Sequence, residues 1–336
     1  MLGSGLIGSF IAADMAGDGA DVPVADVSDE ALGHAAARSG GRVETRREDL
    51  SRPDVIRELV APFDLVIGAL PSCHGFSSLR AVIEAGRPIV DISFMPQDAL
   101  ALDALARERG VTAIVDCGVA PGLSNLLAAR AVSQLDECDR VEILAGGVPR
   151  RPTEPFRYKA PFAPEDVLEE YTRPARIVAG GCVVDTEPLA DSEIVDIPAL
   201  GALEATTTDG LRSLATTLAV PNLRERTLRH PGHYTLMRAL KTAGFLSKEP
   251  RTIDGARVVP LALTSALLFP LWTYLPGEED VTVVTEDAVA STFDKILVVL
   301  TLAIGGIGAI SLAVAGVLIM NVMLIAVAQR TGAIGL

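Results

Sequence analysis

Six residues at the start of the chain, Gly3-Ser4-Gly5-Leu6-Ile7-Gly8, have the G-x-G-x-x-G spacing that brings backbone close to a pyrophosphate. The first glycine permits a tight turn, the second admits the phosphates, and the third lets a helix pack on a sheet. Ser9 to Met15 reads as the following helix, whose N-terminus would offer free N–H groups to phosphate. Asp26 closes a short apolar run about twenty residues on, placed to accept hydrogen bonds from a ribose 2′-hydroxyl. That acid predicts NAD as the cofactor in preference to NADP. The geometry expects a full strand before the first glycine, where only Met1 and Leu2 stand.

Other residues suit chemistry on a small polar substrate. The loop Asp116 to Asn125 follows an apolar strand and precedes a helix, so it belongs at the edge where a nicotinamide would lie. Asp116 suits the orientation of a substrate amine. Cys117 is a candidate beside it, against the plain alternative of a small buried hydrophobe. Ser124 and Asn125 could cap the next helix, and Asn125 is also a candidate substrate ligand. Tyr158-Lys159, in a basic and proline-rich stretch, could take part in proton transfer or meet a carboxylate, or form a solvated loop. Asp209 and Arg212 flank a helix start; the Arg212 fork could grip an α-carboxylate, or the pair could be a local salt bridge. His230-Pro-Gly-His233 lacks a third ligand in view, so it reads as a turn and no metal is expected. His74 reads as a turn residue after Pro71.

The elements that must hold these residues follow from the pattern. Residues 1–117 alternate short apolar runs with helical stretches of about ten residues, the signature of β-α-β units and a parallel sheet. The loops at its carboxyl edge include Gly68-Ala69-Leu70-Pro71 and Asp91-Ile92-Ser93-Phe94; Ala69, Leu70 and Pro71 join the cofactor-binding set. Residues 118–277 read as an α+β substrate and dimerisation domain with a mixed or antiparallel sheet, ending in a returning helix over 257–275. Residues 278–295 form a junction. From 296 to 329 there is no charged residue, and a helix of that length, rising roughly 1.5 Å per residue, exceeds the roughly 30 Å of membrane hydrocarbon. The expected architecture is therefore α/β: a Rossmann-type parallel sheet with a truncated first strand, an α+β domain, and a C-terminal transmembrane helix.

Composition narrows the partners. The chain has 336 residues, 49% hydrophobic and 21% charged, with a formal net charge of -14 and no basic cluster. Nucleic acid and anionic lipid are poor partners on charge grounds. The four cysteines are scattered without metal-ligand spacing. A small amino-acid substrate, a homo-oligomer and a membrane contact through the C-terminal helix are the expected associations.

Taken together, G-S-G-L-I-G (3–8), G-A-L-P (68–71), D-I-S-F (91–94) and V-D-C-G-V-A-P-G-L-S-N (115–125) resemble the saccharopine dehydrogenase family, and more narrowly its lysine 6-dehydrogenase branch. The likeness continues through R-Y-K (157–159), T-D-G-L-R-S-L (208–214) and T-L-R-H-P-G-H (227–233), over roughly residues 1–280. It implies NAD-linked oxidative deamination of the L-lysine ε-amine to the 6-semialdehyde, with a base that keeps the amine neutral while hydride leaves. Fungal saccharopine reductases carry an acid where this chain has Ala120, so that role does not transfer. Residues 300–335 resemble a transmembrane helix of macrolide-exporter-type, FtsX-like ABC permeases, with a join near 277–286. The permease likeness would place the enzyme domain outside, but a leaderless dinucleotide-binding domain should stay inside, so the expected location is a cytoplasmic domain on a single-pass anchor. The alternatives are a membrane-anchored chimera that keeps only the cofactor fold, or saccharopine dehydrogenase-type activity.

Overall fold

The computed structural model describes residues 1–272 apart from 150, 161, 163, 198 and 199. In the first 117 residues, α1 (Leu6–Gly17) leads to β1 (Val24–Asp26), α2 (Asp29–Arg38), β2 (Thr45–Arg47), α3 (Pro53–Val60) and β3 (Val66–Gly68). Then come α4 (Ser72–Glu84), β4 (Ile89–Asp91), a short 3-10 turn, α5 (Asp103–Arg109) and β5 (Ala113–Ile114). All the strand pairings here are parallel, as the β-α-β pattern requires.

Leu2 makes this one sheet. It bridges Ala25 of β1 on one side and Gly68 of β3 on the other. Its N–H donates to the Ile67 carbonyl and its carbonyl accepts from the Ala69 N–H, both at 2.8 Å. The strand order is thus β2, β1, Leu2, β3, β4, β5. Leu2 is held in the central position by ladder bonds on both sides. Apolar cores lie on the two faces, one around Leu79, Val82, Ile83 and Ile89, the other around Ala12, Val24 and Ala35.

The second half opens with α6 (Leu123–Val132) and β6 (Val141–Ala145), then α7 (Pro164–Thr172), β7 (Ala175–Ala179) and β8 (Cys182–Thr186). It continues with β9 (Glu193–Ile197), β10 (Gly201–Thr207), α8 (Leu214–Thr217), β11 (Leu223–Arg229) and α9 (His233–Thr242). The strands form a mixed six-stranded sheet in which β11 is central, parallel to β6 and antiparallel to β10 and β7. Tyr171, Tyr234, Met237, Leu268 and Trp272 pack into a core under α7, α9 and the last helix.

One expectation changes here, and another falls outside the described residues. The returning helix expected over 257–275 begins later: β12 (Arg251–Ile253) and β13 (Ala256–Val258) pair as a hairpin, and α10 runs Pro260–Trp272. Asp254 and Gly255 supply the turn with φ of 49° and 80°, the backbone that a two-residue hairpin loop needs. The transmembrane helix expected over 296–329 lies outside the described residues. Among the described residues no helix is long and apolar enough to cross a membrane.

Candidate active site

The glycine turn sits at the carboxyl end of the central bridge. Gly3 has φ +94°, and a Cβ there would collide with the Ala69 carbonyl; one on Gly8 would collide with the Gly3 carbonyl. Gly5, by contrast, faces open space within 4 Å. That is the arrangement a dinucleotide needs, two glycines for close packing and one for ligand approach. Gly5 is also the N-cap of α1 and makes no side-chain cap bond, which leaves helix N–H groups for phosphate. Leu6 and Ile7 flank the opening as exposed residues. Pro71 caps α4, and Leu70 packs on the core beside Leu2.

Asp26 has a duty that sequence spacing did not show. Its Oδ2 accepts from the Ser4 N–H at 2.7 Å and its Oδ1 from the Ser28 N–H at 2.9 Å. The carboxylate braces the turn, while a carboxylate offers about four acceptor sites, so two remain for ribose. Ser4 itself turns its hydroxyl to the Ala31 carbonyl.

At the neighbouring strand ends stands a group of charges. Asp91 is fully buried, and burial pushes its carboxyl up to about 6 against the pull of the Ser93 N–H. Its Oδ2 has no hydrogen-bond partner. Asp116 accepts from Arg212 Nε at 3.3 Å, Arg212 Nη1 reaches Asp209 at 3.5 Å, and Arg212 Nη2 donates to the Gln97 carbonyl. Asp116 and Arg212 both have left-handed backbone, φ 56° and 49°. Non-glycine residues are held so only when their surroundings fix them, at a cost of about 1–3 kcal/mol each.

So the two residues expected to bind an amine and a carboxylate meet one another. Arg212 is not a free clamp: its side chain is 2% exposed and spans the two halves of the chain. The two-pronged grip on a carboxylate belongs instead to Arg176, which holds both oxygens of Asp209 at 2.8 Å. Arg173 joins them, donating to the Phe94 carbonyl with its guanidinium 4.5 Å from the Phe94 ring centre. Neither Arg173 nor Arg176 was singled out in the sequence, because a lone arginine in or just before a short strand such as β7 carries no spacing signal. Asn125 does cap its helix, its Oδ1 accepting from the Gly122 N–H, while its Nδ2 donates to the Leu211 carbonyl. Burial raises the Cys117 thiol.

Tyr158 corrects the picture of a solvated catalytic loop. It is 2% exposed, edge-on to Trp272 and lying under the Arg229 guanidinium at 4.4 Å. Lys159, its neighbour, is half-buried. His233 is buried too: Nε2 meets the Tyr171 hydroxyl and Nδ1 the Phe156 carbonyl, both at 2.8 Å. Burial drives its imidazole down to about 3. His230 bonds the Pro149 carbonyl, and Gly232 between them turns at φ +95°. His74 lies in the first turn of α4, its N–H donating to the Pro71 carbonyl.

Comparison with known proteins agrees with this build. Residues 1–114 match the saccharopine dehydrogenase NADP binding domain and residues 118–332 the saccharopine dehydrogenase C-terminal domain. The chain is 26% identical over 250 residues to alpha-aminoadipic semialdehyde synthase of Arabidopsis thaliana, covering 67% of this chain and 23% of that protein. It is 24% identical over 202 residues to saccharopine dehydrogenase [NADP(+), L-glutamate-forming] of Pyricularia oryzae, covering 56% of this chain and 45% of that one. The fold matches apo saccharopine dehydrogenase (L-Glu forming) from Saccharomyces cerevisiae with a TM-score of 0.59 at 18% identity, over 83% of this chain and 68% of that one. The chain thus spans less than half the length of the curated relatives quoted.

These matches overturn the membrane-anchored location. The C-terminal domain match runs to residue 332, past the join expected near 277–286. Similarity to the macrolide export protein MacB 1/2 of Paracoccus denitrificans covers 31% of this chain and 15% of that protein. On the C-terminal domain match the single-pass anchor is withdrawn.

Proposed function

The chain belongs to the saccharopine dehydrogenase family, and on that premise we propose that it is an NAD(P)-dependent oxidoreductase acting at a carbon–nitrogen bond of a lysine-derived amino acid. One observation carries this: the open glycine turn and the Asp116–Arg212 pair stand along the carboxyl ends of one parallel sheet. Ligands of such sheets bind there. The bound dinucleotide supplies the hydride acceptor. Gly3, Ser4, Gly5 and Gly8 would hold its pyrophosphate, and the two open sites on Asp26 its ribose, a preference for NAD that the family's NADP label opposes.

The chain's own residues would do the rest. An amino-acid head group carries an ammonium and a carboxylate, the same charge pair that Arg212 and Asp116 now supply to each other. Entry of the substrate exchanges this internal pair for Asp116 on the amine and Arg212 on the carboxylate. Oxidation leaves a carbon–nitrogen double bond that water opens to an aldehyde and a free amine. The first reading is oxidation of saccharopine, supported by the two saccharopine dehydrogenase domain matches and by the name of the Pyricularia oryzae relative. L-lysine 6-dehydrogenase activity is the second reading, favoured by Ala120 in place of an acid.

Dinucleotide reduction by the whole protein tests this, with NADP+ and NAD+ in turn and saccharopine or L-lysine as substrate. Release of glutamate from saccharopine is the expected result. Ammonium released from L-lysine moves the assignment to the second reading. Dinucleotide binding without turnover of either sinks both.

A further inference from the structure

Glu225, on the central strand β11, is 2% exposed and has surroundings suited to a carboxylic acid. Thr208 Oγ1 is 2.5 Å from its Oε2, Thr227 Oγ1 is 3.4 Å from its Oε1, and the two threonine hydroxyls are 2.6 Å apart. Three hydrogens complete that ring: Glu225 gives to Thr227, Thr227 to Thr208, and Thr208 back to Glu225. Each group then donates once and accepts once. The ionised form has two hydrogens for the three gaps. The Gly210 N–H adds a second donor to Oε2 at 3.2 Å.

The environment agrees with the count. Burial, with the like charge of Glu170, pushes Glu225 up to about 8 against the pull of Thr208, Gly210 and Thr227. Glu170 on α7 is itself held by Arg229 at 2.8 Å. Tyr234, from α9, is also electrostatically coupled to Glu225, and burial raises its hydroxyl well above the ordinary range. Tyr234 donates to the Thr227 carbonyl at 2.6 Å, so its hydroxyl stays outside the ring.

The ring lies directly beneath the site. Thr208 and Gly210 belong to the turn that presents Asp209 and Arg212, and Asp209 carries Arg176 as well. A Cβ on Gly210 would stand 2.5 Å from Glu225 Cδ, so the turn rests flush on the carboxyl. We propose that Glu225 is a positioning residue for amino-acid binding, whose un-ionised hydrogen-bonded ring fixes the Thr208–Arg212 turn and, through it, the Asp209–Arg212–Asp116 cluster. This rests on the reading of that cluster as the substrate site.

The test compares wild type, Glu225→Gln and Glu225→Ala in the whole protein. Gln keeps a carbonyl for Thr208 and Gly210 and an N–H for Thr227, but has no proton to lose. Wild-type kcat/KM for the amino acid should fall as pH rises through about 8. E225Q should keep activity near neutrality without that alkaline limb. E225A should raise the amino-acid KM about tenfold or more, leaving the dinucleotide Kd within about twofold; a loss of 1.4 kcal/mol is the tenfold equivalent. An unchanged alkaline limb in E225Q, or an unchanged KM in E225A, overturns the proposal.

A readout without turnover separates it from the assignment of the reaction. The folded pKa lies above the ordinary 4.5, so stability is full below that value and is lost as pH rises towards about 8. Wild-type Tm should therefore fall across that window more than the Tm of E225Q. If no amine is oxidised but this difference appears, the reaction assignment fails and the ring stands. Parallel Tm curves remove the ring itself.

Discussion

In residues 1–117 the buried charged groups are Asp91 and Asp116, both at strand ends; in residues 118–272 buried charges run through the middle of the sheet, with Glu204, Glu225, Arg226 and Arg229 on β10 and β11. The first half builds its glycine turn from backbone: Gly3 and Gly8, where a Cβ would collide with a carbonyl, and ladder bonds around Leu2. The second positions side chains with other side chains, charge against charge. The difference teaches where each half is vulnerable. A backbone-built site breaks by added volume, and a charge-built one breaks by removal of a partner.

The strongest way to break the contrast is Arg229→Met. It leaves Glu170 buried without its 2.8 Å partner, and stranding one member of a buried pair costs about 3–5 kcal/mol. Thermal unfolding should show that loss; a change under about 1 kcal/mol would mean that the second half is held by apolar packing after all. Next come two substitutions in the glycine turn. Gly8→Ala must displace the Gly3 carbonyl and should cost about 1–3 kcal/mol. Gly5→Ala meets nothing within 4 Å, so stability should hold while dinucleotide affinity drops roughly tenfold, about 1.4 kcal/mol. Equal effects at the two positions, read by unfolding and by cofactor titration, would end the account of the turn. The smallest effect belongs to Arg107→Ala, which removes a pair with side chains 79% and 56% exposed. Its loss should shift stability by no more than about 0.5 kcal/mol.

The same contrast explains what could be read in advance. Buried parallel strands such as β3 and β4 stand out as apolar runs, and the glycine spacing marks the turn that follows Leu2, between β1 and β3. β9, Glu193–Ile197, is legible because three of its five residues are β-branched. β11, Leu-Arg-Glu-Arg-Thr-Leu-Arg, was not: charges on both faces hide the period of two that marks a strand. Partners such as Arg176 for Asp209 lie 33 residues apart, and no local spacing announces them. The β12–β13 hairpin did carry a signal in Asp254-Gly255, masked by the leucine-rich stretch that follows. Leu2 looked like a missing strand because ladder bonds from both neighbours are a property of the fold, not of two residues.

Trp272, the chain's single tryptophan, is fully buried between Phe156 and Tyr158, ring centres 5.6 and 5.3 Å away. It places an intrinsic fluorophore inside the charge-built half and leaves the dinucleotide half silent in that emission. Tryptophan fluorescence thus follows the second half alone, whereas far-ultraviolet circular dichroism follows both. The two halves can be watched melting together or apart without attaching any label.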